Sequence, residues 1–200
     1  MQQEPKVNLL FSLSGQTIPV DHGYLLYSAI SRIIPEIHND TSVGICLIRG
    51  SYIGAGLLDI SQKGLLKLRL PVTHVRHYIP LAGKELLINN HRVLIGVPHI
   101  SALSFSSFLY AHMVTTKNGL DAQRFSTELY RQMDQLQIKG TFHIGKRKTC
   151  QIHNRQIVGY SLLVSNLSND HSIILKENGL GGRRKMGCGF FEPRATYDDI

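Results

Sequence analysis

Residues 119–138, Gly-Leu-Asp-Ala-Gln-Arg-Phe-Ser-Thr-Glu-Leu-Tyr-Arg-Gln-Met-Asp-Gln-Leu-Gln-Ile, are the stretch from which the fold is read. Leu120, Phe125, Leu129, Met133 and Leu136 recur near helical spacing and make one apolar stripe, which predicts an amphipathic helix. Upstream, residues 100–115 are rich in β-branched and aromatic side chains and predict a strand. Downstream, residues 141–144 and 149–152 predict strands around a basic turn, Gly145-Lys-Arg-Lys148, and residues 157–164 predict a third. Ser168 caps a short helix that runs to Glu177, and residues 188–192 close as a strand. The order is β-α-β-β-α-β.

The first half repeats that order. Residues 7–13 predict a strand, and Asp21 precedes a helix carrying Tyr24, Tyr27, Ala29, Ile30 and Ile33. Pro35 ends that helix at Ile34, because proline disfavours helix in the residue before it; residues 35–40 then read as a loop. Residues 43–48 and 65–70 predict strands, residues 73–80 a short helix capped by Thr73, and residues 84–88 and 92–97 strands flanking an Asn89-Asn90 turn. The fold class is α+β: two tandem ferredoxin-like (RRM-like) domains, each a four-stranded antiparallel sheet with two helices. The domains are placed at residues 1–97 and 98–200, with the boundary near Pro98. An aromatic signature of the common RNA-binding sheet is missing, so Phe105, Phe108 and Tyr110 read as core.

The chain has 200 residues, 42% of them hydrophobic and 18% charged, a composition that supports packed cores. Its net charge is +8 and its pI about 9.5, which suits a polyanionic partner. Between Lys139 and Lys185 nine cations face only Asp170 and Glu177. That clustering predicts a phosphate footprint; the alternative is an ordinary solvated face. Cys46, Cys150 and Cys188 form no CxxC pair and read as reduced thiols in a cytoplasmic protein. The first residues carry no signal-peptide pattern, and no apolar run approaches the ~20 residues a membrane span needs. No histidine pair has metal-ligand spacing; His74 and His77 read as surface residues.

One stretch is more specific: Gly179-Leu-Gly-Gly-Arg-Arg-Lys-Met-Gly-Cys-Gly189, or G-x-G-x5-G-x-G. Glycines let a backbone approach another surface closely, and successive amides can form an anion-binding nest. A Walker-type loop is excluded, since G-x4-G-K-[ST] is absent. A dinucleotide fingerprint fits no better, because this loop follows a helix and precedes a strand.

A glycine loop of this form, before the last strand of a second ferredoxin-like domain, resembles the hallmark of the CRISPR-associated RNA-binding superfamily. Within it the chain resembles the repeat-processing endoribonucleases, the sixth numbered CRISPR-associated family. Phe190-Phe-Glu-Pro193 after the loop and Leu13-Ser-Gly-Gln-Thr-Ile-Pro-Val-Asp-His-Gly-Tyr24 near the N-terminus are similar to its compact variant, first named from myxobacterial systems. The resemblance implies cleavage of precursor CRISPR repeat RNA, a hairpin, into guide RNAs. It implies attack by a ribose 2′-hydroxyl, a 2′,3′-cyclic phosphate product, and no metal or other cofactor. The RNA itself and other CRISPR effector subunits are the implied partners. It further implies a catalytic histidine just after the first helix and a tyrosine within it: here His38 as general acid or base and Tyr27 as an orienting hydroxyl, with His22 as the rival. On a straight helix His38 and Tyr27 would stand about 16 Å apart, so the chain must fold back after Pro35. Many relatives place a lysine shortly after this histidine. Asn39-Asp-Thr-Ser42 stands there instead, and Arg32, Arg49 or the loop arginines are left to stabilise the phosphorane. The expected RNA-binding residues are Lys146, Arg147, Lys148 and Arg155, with Gly179, Gly181, Gly182, Arg183, Arg184, Lys185, Gly187 and Gly189 of the loop. The alternative activity is a repeat-RNA-binding subunit that cleaves slowly or not at all; a structural backbone subunit, which normally carries long insertions, fits 200 residues poorly.

Overall fold

The computed structural model describes residues 4–194, which divide into two compact units between Ala102 and Leu103. In the first unit β1 (Lys6–Ser14), α1 (Gly23–Ile33), β3 (Gly44–Ile45), β6 (Leu65–Pro71), α2 (Val75–Tyr78) and β8 (His91–Ala102) follow the ferredoxin order. β2 (Thr17–Pro19), β4 (Ser51–Gly54), β5 (Leu57–Asp59) and β7 (Glu85–Ile88) are additions. The main sheet runs β3-β6-β1-β8-β7 and is antiparallel throughout, so β1 lies at its centre between β6 and β8, and β7 extends one edge. β2, β5 and β4 form a separate small sheet, from segments in which the sequence reading places no strand.

The alternation along β1 explains how this sheet is held. Leu9, Phe11 and Leu13 face the core at 0%, 0% and 7% exposure. Each such side chain contributes about 1.5–3 kcal/mol on burial. Leu26, Ala29 and Ile30 of α1 are buried in the same core as Leu9, Leu68 and Ile95.

In the second unit β9 (Leu109–Val114), α3 (Ala122–Gln135), β10 (Thr141–Ile152), β11 (Arg155–Ser165), α4 (Asn169–Asn178) and β12 (Glu192–Pro193) make the sheet β10-β11-β9-β12. This is the ferredoxin order without additions. Asp121 caps α3 by accepting from the amides of Gln123 and Arg124, both at 3.0 Å, and Ser168 caps α4 through the His171 amide.

Several expectations are corrected. Leu120 precedes the α3 cap and is 83% exposed, so it leaves the apolar stripe. The strand expected over 100–115 is broken: β8 runs through Pro98 to Ala102, and β9 begins only at Leu109. Phe105, in that break, is half exposed and not core. The 73–80 segment is a single α turn between two 3-10 turns, and Thr73 caps nothing; its amide and hydroxyl donate to Glu4. The expected terminal strand 188–192 shrinks to Glu192–Pro193, and the 43–48 strand to Gly44–Ile45. Lys146, Arg147 and Lys148 sit within β10, not in a turn; the register slips between Ile144 and Arg147, and the hairpin reverses at His153-Asn154. A bulge and a turn use similar residue types, which is why glycine beside three cations read as a reversal.

Candidate active site

α1 ends where Pro35 begins a 3-10 turn, Pro35–His38. The turn folds back because Ile37 is fully buried in the core of the first unit, and the Ile37 amide donates to Ile34 O at 3.2 Å. With Ile37 pinned inward, His38 is carried to the surface beside α1. Tyr27 Oη and His38 Nδ1 are joined by a hydrogen bond of 2.6 Å. Their rings meet edge to face, with centroids 5.5 Å apart at 86°. The two residues that a straight helix would separate are therefore in contact. Partial burial raises the Tyr27 hydroxyl above its ordinary value, with Tyr24 adding to the effect, so at neutral pH it is a phenol.

Asp40, two residues beyond His38, is the hub of the same loop. One carboxylate oxygen accepts from the Ser42 amide at 2.9 Å and the Ser42 hydroxyl at 2.5 Å. The other accepts from Tyr78 Oη at 2.9 Å and lies 3.0 Å from His74 Nδ1. Burial opposes ionisation, but the bonds from Ser42, His74 and Tyr78 outweigh it and hold the carboxyl down at about 2. Tyr78 is itself buried and pushed up, first by desolvation and then by Asp40. An open cavity of about 320 Å³ lies over this network, lined by Glu36, Asn39, Asp40, His74, His77 and Tyr78 among others. The network was not legible in the sequence, because His74 and Tyr78 stand 34 and 38 residues away from Asp40. Only the local Asp-Thr-Ser turn chemistry hints at it.

His22 is placed differently. It is 1% exposed. Its Nδ1 lies 2.8 Å from Pro19 O and 3.1 Å from Val20 O, and its Nε2 accepts from the Ile48 amide at 2.9 Å. Both ring nitrogens are thus engaged in tying together the N-terminus of α1, the loop before it and residue 48. Desolvation holds its pKa below the usual histidine value, so it is a neutral Nδ1–H tautomer. Arg32 lies exposed in the last turn of α1. Arg49 lines a second cavity of about 310 Å³ with Lys63 and Asp59.

In the second unit the glycine loop is anchored from within. The Gly181 amide donates to Gln132 Oε1 at 2.7 Å, Gly182 to Thr115 O at 2.9 Å, and Gly189 to Met113 O at 2.7 Å. Those three amides serve the fold and do not form the expected anion nest. Gly181 and Gly189 adopt φ of +73° and +65°, and a Cβ there would collide with the carbonyl oxygens of Thr115 and Leu180. Gly179, Gly187 and Gly189 are buried, whereas Gly182 and Arg183 are exposed. Arg183 also reaches Thr115 Oγ1 at 3.4 Å. Arg184 is half-buried, and desolvation lowers its pKa; Lys185 is half-buried as well. On the β10-β11 hairpin Lys146, Arg147 and Arg155 are exposed and Lys148 is half-buried. Lys176, counted in the same basic stretch, is withdrawn from it: it is 4% exposed and donates to Ser104 O.

Residues 7–196 match the family described as Cas6, Cas6 Crispr. The chain belongs to the Cas6 family. The CRISPR-associated endonuclease Cas6 of Myxococcus xanthus (strain DK1622) is 36% identical over 187 residues, covering 94% of this chain and 81% of the relative. A solved CRISPR associated protein Cas6 superposes with a TM-score of 0.70 at 13% identity, covering 95% of this chain and all of the other. A Cas6-related protein from Pyrococcus furiosus gives 0.63 at 14% identity over 94% and 98% of the two chains. The CRISPR endoribonuclease Cse3 bound to 19 nt RNA gives 0.51 at 8% identity, over 93% and 98%. The Cas6 fold of tandem ferredoxin-like domains is thus shared at identities where only architecture is preserved. Among the described residues of this Cas6 chain no helix is long and apolar enough to cross a membrane.

Proposed function

We propose that the chain is a CRISPR repeat endoribonuclease that cuts precursor RNA into guide RNAs, in the cytoplasm and without a metal. The contact between Tyr27 and His38 carries this reading. Cleavage by the adjacent 2′-hydroxyl requires a proton acceptor at that oxygen and a donor at the departing 5′-oxygen. His38 supplies one of these through Nε2. With Nδ1 held by Tyr27 Oη, the ring is oriented and Nε2 is the atom left to take or give the proton. Tyr27 stays protonated and acts as an orienting group. The products are a 2′,3′-cyclic phosphate and a 5′-hydroxyl. The engaged nitrogens of His22 support a structural role for it, and the exposed cations of the β10-β11 hairpin and Arg183 support a grip on the RNA backbone.

A second reading, a repeat-RNA-binding subunit that cleaves slowly, draws on Asp40: a carboxylate stands close after His38 where a phosphorane-stabilising cation would help. The test is a gel assay in EDTA with excess protein and labelled repeat RNA from the host locus, alongside RNA carrying a 2′-deoxy sugar at the cut. Cleavage lost both in His38→Ala and in the deoxy substrate supports the nuclease. Wild-type protein that shifts the RNA and leaves it whole supports the binding subunit.

A further inference from the structure

The cavity beside His38 is not used by the chemistry proposed above, and its lining has a definite character. A 3-10 turn advances by 120° per residue, so positions three apart eclipse one another. Glu36 and Asn39 therefore share one side of the Pro35–His38 turn, the side that lines the cavity. His38 lies one step round, on the side that meets Tyr27. Two lining residues, Glu36 and Asn39, thus stand on either side of His38 in the chain.

The chemistry of the lining excludes some ligands. Its carboxylates, Glu36 and the firmly ionised Asp40, repel a phosphate. They accept hydrogen bonds from N–H groups. Asp40 already takes bonds from Ser42, His74 and Tyr78, which leaves the exposed Glu36 as the other carboxylate acceptor in the lining. The His74 and His77 rings, with centroids 5.7 Å apart, offer flat surfaces against which a base can lie. The volume of about 320 Å³ is at the small end of ligand cavities and suits a single base.

We infer that the cavity formed by Glu36, Asn39, His74 and His77 is a base-reading subsite for a nucleotide flanking the cleaved bond, and that it selects a base with an amino edge: guanine, adenine or cytosine over uracil. The inference rests on the nuclease reading of the same loop. Uracil is disfavoured because its lone imino N–H is flanked by two carbonyl oxygens, which a carboxylate repels.

The experiment uses the full chain and a panel of repeat RNAs in which each nucleotide flanking the cut is varied to all four bases. Inosine and purine riboside serve as analogues of guanosine and adenosine that lack the amino group. Single-turnover cleavage rates and equilibrium affinities are measured for wild type and Glu36→Gln, whose exposed side chain leaves folding intact. Amino-bearing bases at one flanking position are cleaved about tenfold faster than uracil or the amino-free analogues. Glu36→Gln, which retains the side-chain shape and can donate as well as accept, compresses that ratio to about twofold. Equal rates across the panel in wild type, or a preference unchanged in Glu36→Gln, overturns the inference and leaves the nuclease intact. If no RNA is cut, the nuclease reading fails, and the affinities decide the subsite: a preference flattened by Glu36→Gln keeps it, and uniform binding removes it.

Discussion

Tyr27 and His38 form the contact on which the proposed activity turns, and each is accessible to a single substitution. His38→Ala is expected to lower the single-turnover cleavage rate on the order of 10²-fold or more, while RNA affinity in filter binding stays within about twofold of wild type. Tyr27→Phe removes one hydrogen bond and leaves the ring, so a loss of about tenfold is expected. His22 makes the opposite prediction. Its folded pKa lies below the unfolded value, so the folded state resists protonation that the unfolded chain accepts. Its contribution is therefore full above about pH 6.5 and is lost as pH falls below it. Chemical denaturation at pH 7.5 and pH 5.5 is expected to show that acid loss in wild type and a smaller one in His22→Asn. A His22 variant that folds at neutral pH yet cleaves nothing would move the acid–base role to this residue. The sequence offers His38 and Tyr27 as candidates through the resemblance alone. Their meeting requires a fold back after Pro35, and the burial of Ile37 that produces it is not written in the sequence.

At the scale of elements, caps and close approaches set the outcome. Asp121 anchors α3 through two amide bonds, and Asp121→Ala is expected to cost about 1 kcal/mol, measured by urea denaturation. Gly189→Ala places a methyl group against Leu180 O at φ +65°. It should distort the glycine loop, and RNA affinity should fall through misplaced Arg183 even though no charge is removed. The pattern of the loop was readable because glycine spacing records backbone constraints. Its purpose was misread in part: the amides of Gly181, Gly182 and Gly189 bind Gln132, Thr115 and Met113, which are distant in sequence. The basic segment 146–148 likewise reads as a turn, because the sequence does not distinguish a bulge in a strand from the end of one. The short strands β2, β4 and β5 are not legible, since three- to four-residue strands carry too few positions to show a period.

For the whole molecule, charge is the property that reaches furthest. A net charge of +8 displayed partly on the β10-β11 hairpin predicts RNA binding that weakens steeply with salt. The double variant Lys146→Ala/Arg147→Ala should lower the slope of log affinity against log salt by about 1–2, read by titration across a range of KCl concentrations. An unchanged slope would mean that this face does not meet the RNA. The sequence by itself determined the β-α-β-β-α-β core order of both halves, the glycine loop and the basic stretch. These are local records: hydrophobic period, caps, breakers and composition are written along the chain within a few residues of where they act. Only the tertiary structure decided that His38 meets Tyr27, that His22 is locked between Pro19 O and the Ile48 amide, and that Lys176 is withdrawn from the surface. It also decided that Asp40 gathers His74 and Tyr78 around a cavity. Each of these joins residues that burial brings together across many positions, and the energy of such contacts is a property of the packed core, not of any stretch of chain.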